Sequence, residues 1–244
     1  MKRWLIAILL LPAGCQNAAQ PVATIPGLAT LRVHVVAEPK AGAPRSDATL
    51  SSFDTPMQKN TGAFTKVDYA DLSQIVVWLQ PGDDSIVGGK RPPVELSLRD
   101  PAPVDSVTAV ASVGQQVIFK NATGNPQTFY SVSDGNNFNL GSVGPGATAQ
   151  FTVKSAGTIE VLSESSTDPL AVLETAATPW IKLTRAGDGV TFSNVMPGAY
   201  TVVSWHPRLP GSQTQVQLSP DHTADVQVRV GVNALPKVAP VQTP

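Results

Sequence analysis

A chain of 244 residues with a net charge of −1 and only 14% charged residues offers no basic surface for nucleic acid, and no basic patch stands out. That length allows one large or two small domains with full hydrophobic cores. The 22 prolines and 19 glycines, with valine and threonine recurring in alternation and no long helical periodicity, point to an all-β protein.

In chain order, Met1-Lys2-Arg3 leads into the apolar stretch Trp4 to Leu11, then Pro12-Ala13-Gly14 and Cys15. A positive start, an apolar stretch, small residues and a cysteine follow the order of a bacterial lipoprotein signal, with cleavage before Cys15 and lipid on its sulfur. The apolar stretch is too short to span a bilayer as a helix. Pro12 departs from the leucine, valine or isoleucine usual three places before the cysteine. The alternative is an ordinary secretory signal cut near Ala18 or Ala19. Gln16, rather than aspartate, is similar to sorting to the outer membrane.

Residues 1–14 are thus expected to be the signal peptide, and the membrane to be a partner through lipid on Cys15. The expected location is the periplasmic face of the outer membrane. Two or three acyl chains, at about 0.8 kcal/mol per buried methylene, would hold the domain firmly. Cys15 is the single cysteine, so the fold must hold without disulfides.

Residues 15–29, polar with Pro21 and Pro26, read as a tether. Leu31–Val36 alternates as a strand, whereas Glu38 to about Val67 has few apolar anchors and reads as a low-order insertion. Ile75–Leu79 is an apolar strand stopped by the turn residues Pro81-Gly82-Asp83-Asp84. After a weak stretch around Gly88 to Pro93, short strands are expected near residues 94–98, 107–111, 116–119, 128–132, 149–153, 158–162 and 170–173. More follow at 180–184, 190–192, 200–205, 216–218 and 226–230. Turns about every ten residues are the habit of β-sandwiches. Residues 234–244, with three prolines, read as a disordered tail.

Several stations between Val113 and Leu209 agree in order with one family: Val113–Phe119 followed by Asn121, Phe138-Asn139-Leu140-Gly141 with Pro145-Gly146, and Gly157–Val161. Met196–Thr201 and Trp205-His206 complete the set. In these the chain resembles exported cupredoxin-like proteins, often labelled methylamine utilization protein or plastocyanin-like. Its ending is also similar to a transthyretin-like or carboxypeptidase-regulatory-like sandwich. The resemblance implies a cupredoxin-like Greek-key sandwich over 94–176 and a transthyretin-like unit over 177–233. Residues 30–93 would supply strands that pack with the latter. One arrangement pairs Leu31–Val36 and Ile75–Leu79 with the strands after Trp180, making the cupredoxin-like unit an insertion.

A blue-copper site needs two imidazoles, a thiolate and a weak axial sulfur. The resemblance puts those four ligands at Gln127, Ser163, Ser166 and Pro169, none of which supplies such a donor. The expectation is therefore a cupredoxin shell without copper and without any cofactor. The three histidines, His34, His206 and His222, do not fall at ligand spacing. His206 is expected to pack and hydrogen-bond to backbone. Glu160, Glu164 and Asp168 flank the vacant position and read as a solvated rim, with a hard-cation site as the alternative and Glu160 facing away from Val161.

Ser163, Ser165 and Ser166 cluster without a nucleophile elbow, and only His206 could serve as their base, so no enzyme activity is expected. The sequon Asn121-Ala122-Thr123 reads as chance beside a bacterial leader. Phe129, Tyr130 and Phe138 read as core or rim aromatics. The expected function is a lipid-anchored periplasmic binding or structural module whose partner is another envelope protein. Its contact loops would be Gly124–Gln127 and Ser163–Asp168. The alternatives are copper handling or electron transfer through an atypical site, and cell-wall carbohydrate contact through Trp180, Trp205 or Tyr200. Tyr200 and Trp205 should lie on opposite strand faces, with at least one buried.

Overall fold

The computed structural model describes residues 25–39, 67–83, 91–103 and 106–234. Cys15, most of the expected insertion (40–66) and the tail from 235 lie outside the described residues. The protein is all-β, and the described residues form two β-sandwiches.

The first sandwich joins strands from both ends of the chain. β1 (Ala29–Ala37), β12 (Gly189–Val195) and β15 (Thr223–Val230) form one sheet in the order β12-β1-β15. β1 runs antiparallel to β12 and parallel to β15, with Val33 opposite Val190 on one side and Val226 on the other. β2 (Ile75–Pro81), β11 (Ile181–Thr184), β13 (Gly198–Trp205) and β14 (Gln213–Leu218) form the other, in the order β11-β2-β13-β14. Here Leu79 lies opposite Val202.

Alternation explains how these strands close on one core. In β1, Leu31, Val33 and Val35 are buried while Arg32 and His34 face water. In β2, Ile75, Val77 and Leu79 point into the same core, which also takes in Phe192, Val202 and Val228. Each fully buried aliphatic side chain contributes about 1.5–3 kcal/mol.

The second sandwich is built wholly from the middle of the chain. Its larger sheet has the order β4-β10-β9-β6-β7: β4 (Ala109–Ser112), β6 (Gln127–Ser131), β7 (Phe138–Val143), β9 (Gly157–Ser163) and β10 (Ala171–Ala176). Its smaller sheet holds β3 (Val94–Leu98), β5 (Gln116–Asn121) and β8 (Thr148–Thr152). Phe119, Phe129, Ile159, Val161 and Leu173 fill the space between them. Phe138 stacks on Phe119 at 5.8 Å and meets Phe151 at 4.4 Å. A third, small cluster lies where the sandwiches touch, with Val76 and Ile181 from the first and Val107 and Ala176 from the second.

One element differs from the sequence expectation. No strand is expected between 132 and 149, but Phe138 begins strand β7, which pairs with β6 through Ser131 opposite Phe138 and Gln127 opposite Val143. The reversal comes later, at Pro145-Gly146. Two features let a turn-like sequence extend: the Phe138 ring is anchored in the aromatic stack, and Gly141 takes φ +67° beside a register shift.

Candidate functional site

β6 and β9 are antiparallel neighbours with Phe129 opposite Ser163. Side chains alternate in pairs, so Gln127, two residues before Phe129, shares the inward face with Phe129 and Ser163. Gln127 is 9% exposed and Ser163 1%. The register thus brings together two of the four positions at which the resemblance puts copper ligands.

These two bond to each other. Ser163 Oγ donates to Gln127 Oε1 at 2.7 Å, and Ser165 Oγ donates to the same oxygen. An amide oxygen has two lone pairs, and both are taken. Ser165 also returns its backbone N–H to Ser163 Oγ at 3.3 Å. Gln127 Nε2 reaches Thr123 Oγ1 at 3.5 Å.

Asn121, fully buried at the end of β5, ties the loop down behind them. Its Nδ2 donates to the carbonyls of Asn125 and Val143, both at 2.8 Å. Its Oδ1 accepts from Thr123 N at 2.9 Å and Thr123 Oγ1 at 2.7 Å. The sequon asparagine is therefore wholly used inside the protein. Asn121, Thr123 and Ser165 are members of this network that sequence reasoning did not join to Gln127. Only the strand register reveals the connection.

The other two positions are occupied otherwise. Ser166 Oγ donates to the Asp168 carbonyl at 2.8 Å and accepts the Asp168 N–H at 3.2 Å, closing its own turn. The Pro169 carbonyl accepts the Ala102 N–H at 2.7 Å. The two contact loops need one correction: their ends, Gln127 and Ser163, are buried because they face inward on β6 and β9. Gly124, Asn125, Pro126, Glu164, Ser165, Thr167 and Asp168 are the exposed members.

The donor set does not fit copper. It consists of neutral amide and hydroxyl oxygens already satisfied by one another, where copper of this class needs imidazole and thiolate. Nor is Ser163 activated as a nucleophile, since its proton goes to an amide oxygen rather than to a base. His206 belongs to the other sandwich, just after β13, and its Nδ1 accepts the Arg208 N–H at 3.0 Å. His34 and Asp225 form an exposed pair at 3.6 Å. Glu160, Glu164 and Asp168 are exposed, and Val161 beside Glu160 is buried. Among the described residues no three His, Cys, Asp or Glu side chains gather as a metal site.

The aromatic residues are largely committed to packing. Tyr200 is buried and meets Trp180 edge-on at 5.8 Å. Trp205, on the opposite face of β13, packs against the cluster between the sandwiches. Phe129 is fully buried, while Phe138 and Tyr130 are partly buried.

No family model matches the chain, and no curated protein matches it. Among solved structures the chain has a similarity to a copper(I) form of a methionine-to-alanine variant of amicyanin. The match has a TM-score of 0.28 and 13% identity, and covers 41% of this chain and 97% of that one. A likeness of that size assigns no family.

Proposed function

We propose that the protein is a non-catalytic binding or structural module of the bacterial cell envelope, held at the periplasmic face of the outer membrane by lipid on Cys15. Its natural partner is another envelope protein. The leader sequence supports the anchor, since Lys2, Arg3, the apolar stretch to Leu11 and the small residues before Cys15 stand in lipoprotein order.

One observation carries the module reading: the Gln127–Ser163–Ser165 network. It fills a loop end that the resemblance would give to copper, and it spends its polar groups on one another. Such a network fixes the geometry of the exposed loop residues around it, which suits a surface that works by shape. The test is calorimetric titration of purified protein with copper(II) and with zinc. The expected result is no site tighter than about 1 μM; a submicromolar, stoichiometric site would overturn the reading.

A further inference from the structure

One end of the first sandwich gathers three connections. Residues 25–28 lead into β1, residues 196–197 join β12 to β13, and residues 219–222 join β14 to β15. Hydrogen bonds tie them together. Ile25 N–H donates to Asn194 Oδ1 at 2.9 Å, and Gly27 N–H donates to Asp221 Oδ1 at 2.7 Å. Asp221 N–H in turn donates to the Leu28 carbonyl at 3.2 Å. Strand register closes the group, with Ala29 opposite Val195 and Gly198 opposite Leu218.

This end is apolar where it meets solvent. Ile25 is 55% exposed and Met196 60%, more than any other large apolar side chain among the described residues except Val132. Pro26, Pro197 and Pro220 are exposed in the same loops. A single exposed apolar residue is ordinary, but several spread over three tied loops mark a contact surface. Asp221 is the only Asp, Glu, Lys or Arg in these loops, and its carboxylate accepts the Gly27 N–H. Asp83 lines the same hollow as Met196 and Pro197.

The length of chain before this end says what meets it. Cys15 and Ile25 are ten residues apart, a reach of at most about 35 Å. Lipid on Cys15 therefore keeps this end of the sandwich close to the bilayer and makes any contact between them intramolecular. The junction with the second sandwich lies at the other end of the sheet. β13 starts at Gly198, beside the apolar loops, and ends eight residues and roughly 25 Å later at Trp205, in the cluster between the sandwiches. Contact with lipid at the first end leaves that junction clear. With no lysine or arginine in the loops, nothing draws anionic headgroups, and a zwitterionic surface fits better.

We propose that the end carrying Ile25 and Met196 seats on a zwitterionic phospholipid surface, with both side chains at the boundary of headgroups and acyl chains. Lipid on Cys15 supplies the attachment, and this second contact sets the orientation, turning the second sandwich away from the membrane. The inference rests on the lipid-anchor reading of Cys15, but not on the copper-free loop end.

The test attaches a nitroxide label to Ile25→Cys or Met196→Cys. The protein is expressed with its leader, purified from membranes and returned to vesicles of phosphatidylethanolamine and phosphatidylcholine. Val132→Cys, at a site 75% exposed just after β6 of the second sandwich, is the control. Electron paramagnetic resonance should show the labels at 25 and 196 shielded from an aqueous nickel chelate and open to oxygen, and the label at 132 the reverse. All three sites are exposed, so circular dichroism should show an unchanged fold. Equal access of the chelate to all three, on a chain whose mass includes the lipid, overturns this inference alone. A mass without lipid overturns the anchor reading and this inference with it. Spin–spin broadening at 25 or 196 places a second copy on this end and also overturns the inference.

Discussion

Replacing Asn121 by alanine removes the residue that ties the loop end together. Its side chain makes four hydrogen bonds, two donated to the carbonyls of Asn125 and Val143 and two accepted from Thr123. Alanine leaves the Val143 carbonyl without this partner in a buried setting, at about 1–3 kcal/mol. Asn125 is exposed and Thr123 partly so, so water recovers part of what they lose. The expected loss is about 2–4 kcal/mol in total. For a protein of this size that lowers Tm by roughly 5–15 °C.

Urea unfolding followed by far-ultraviolet circular dichroism is the suitable assay. Trp78, Trp180 and Trp205 belong to the other sandwich or its boundary, so fluorescence would report on the wrong part. Thr123→Val, which removes only the hydroxyl, should cost about 1 kcal/mol. If Asn121→Ala costs less than about 0.5 kcal/mol, the size of an ordinary surface substitution, the network does not hold the loop end and the reasoning fails.

Three further outcomes are expected. Burial raises the Glu174 carboxyl above its ordinary value, with the Thr158 hydrogen bond opposing, so the folded protein keeps a proton that the unfolded chain has released. Stability from this group therefore falls as pH rises from the ordinary carboxylate value through the raised one. Glu174→Gln should remove that fall, and urea midpoints between about pH 4 and pH 8 that decline equally in both proteins would refute it. Gly211→Ala would drive a methyl group into the Ser204 carbonyl, costing about 1–3 kcal/mol by thermal melting; an unchanged Tm would contradict this. Cys15→Ser should move the protein from the membrane to the soluble fraction on cell fractionation, whereas retention in the membrane would sink the anchor proposal.

The parts of this fold legible in the sequence are those where one face is buried and the other wet. Leu31, Val33 and Val35 alternate with Arg32 and His34, and the pattern names the strand and its inner face at once. β7 is the counter-example. Asn139 and Gly141 are turn formers, and what makes the segment a strand is the distant stack of Phe138 on Phe119 and Phe151.

The candidate site divides in the same way. The resemblance locates Gln127 and Ser163, but their mutual hydrogen bond depends on the register of β6 against β9, which no local pattern encodes. Glu174 was hidden for a different reason. It lies just past the strand expected at 170–173, and the whole stretch from Leu173 to Ala176 is buried where β10 meets the first sandwich.

The central claim is that the loop end built on Gln127 and Ser163 spends its hydroxyl and amide oxygens on one another, at positions where the resemblance would put imidazole and thiolate. The most direct measurement is the visible absorption spectrum of the purified protein during addition of copper(II). The account predicts no intense blue thiolate-to-copper band at any ratio of metal to protein. A strong band that saturates at one copper per chain would contradict it.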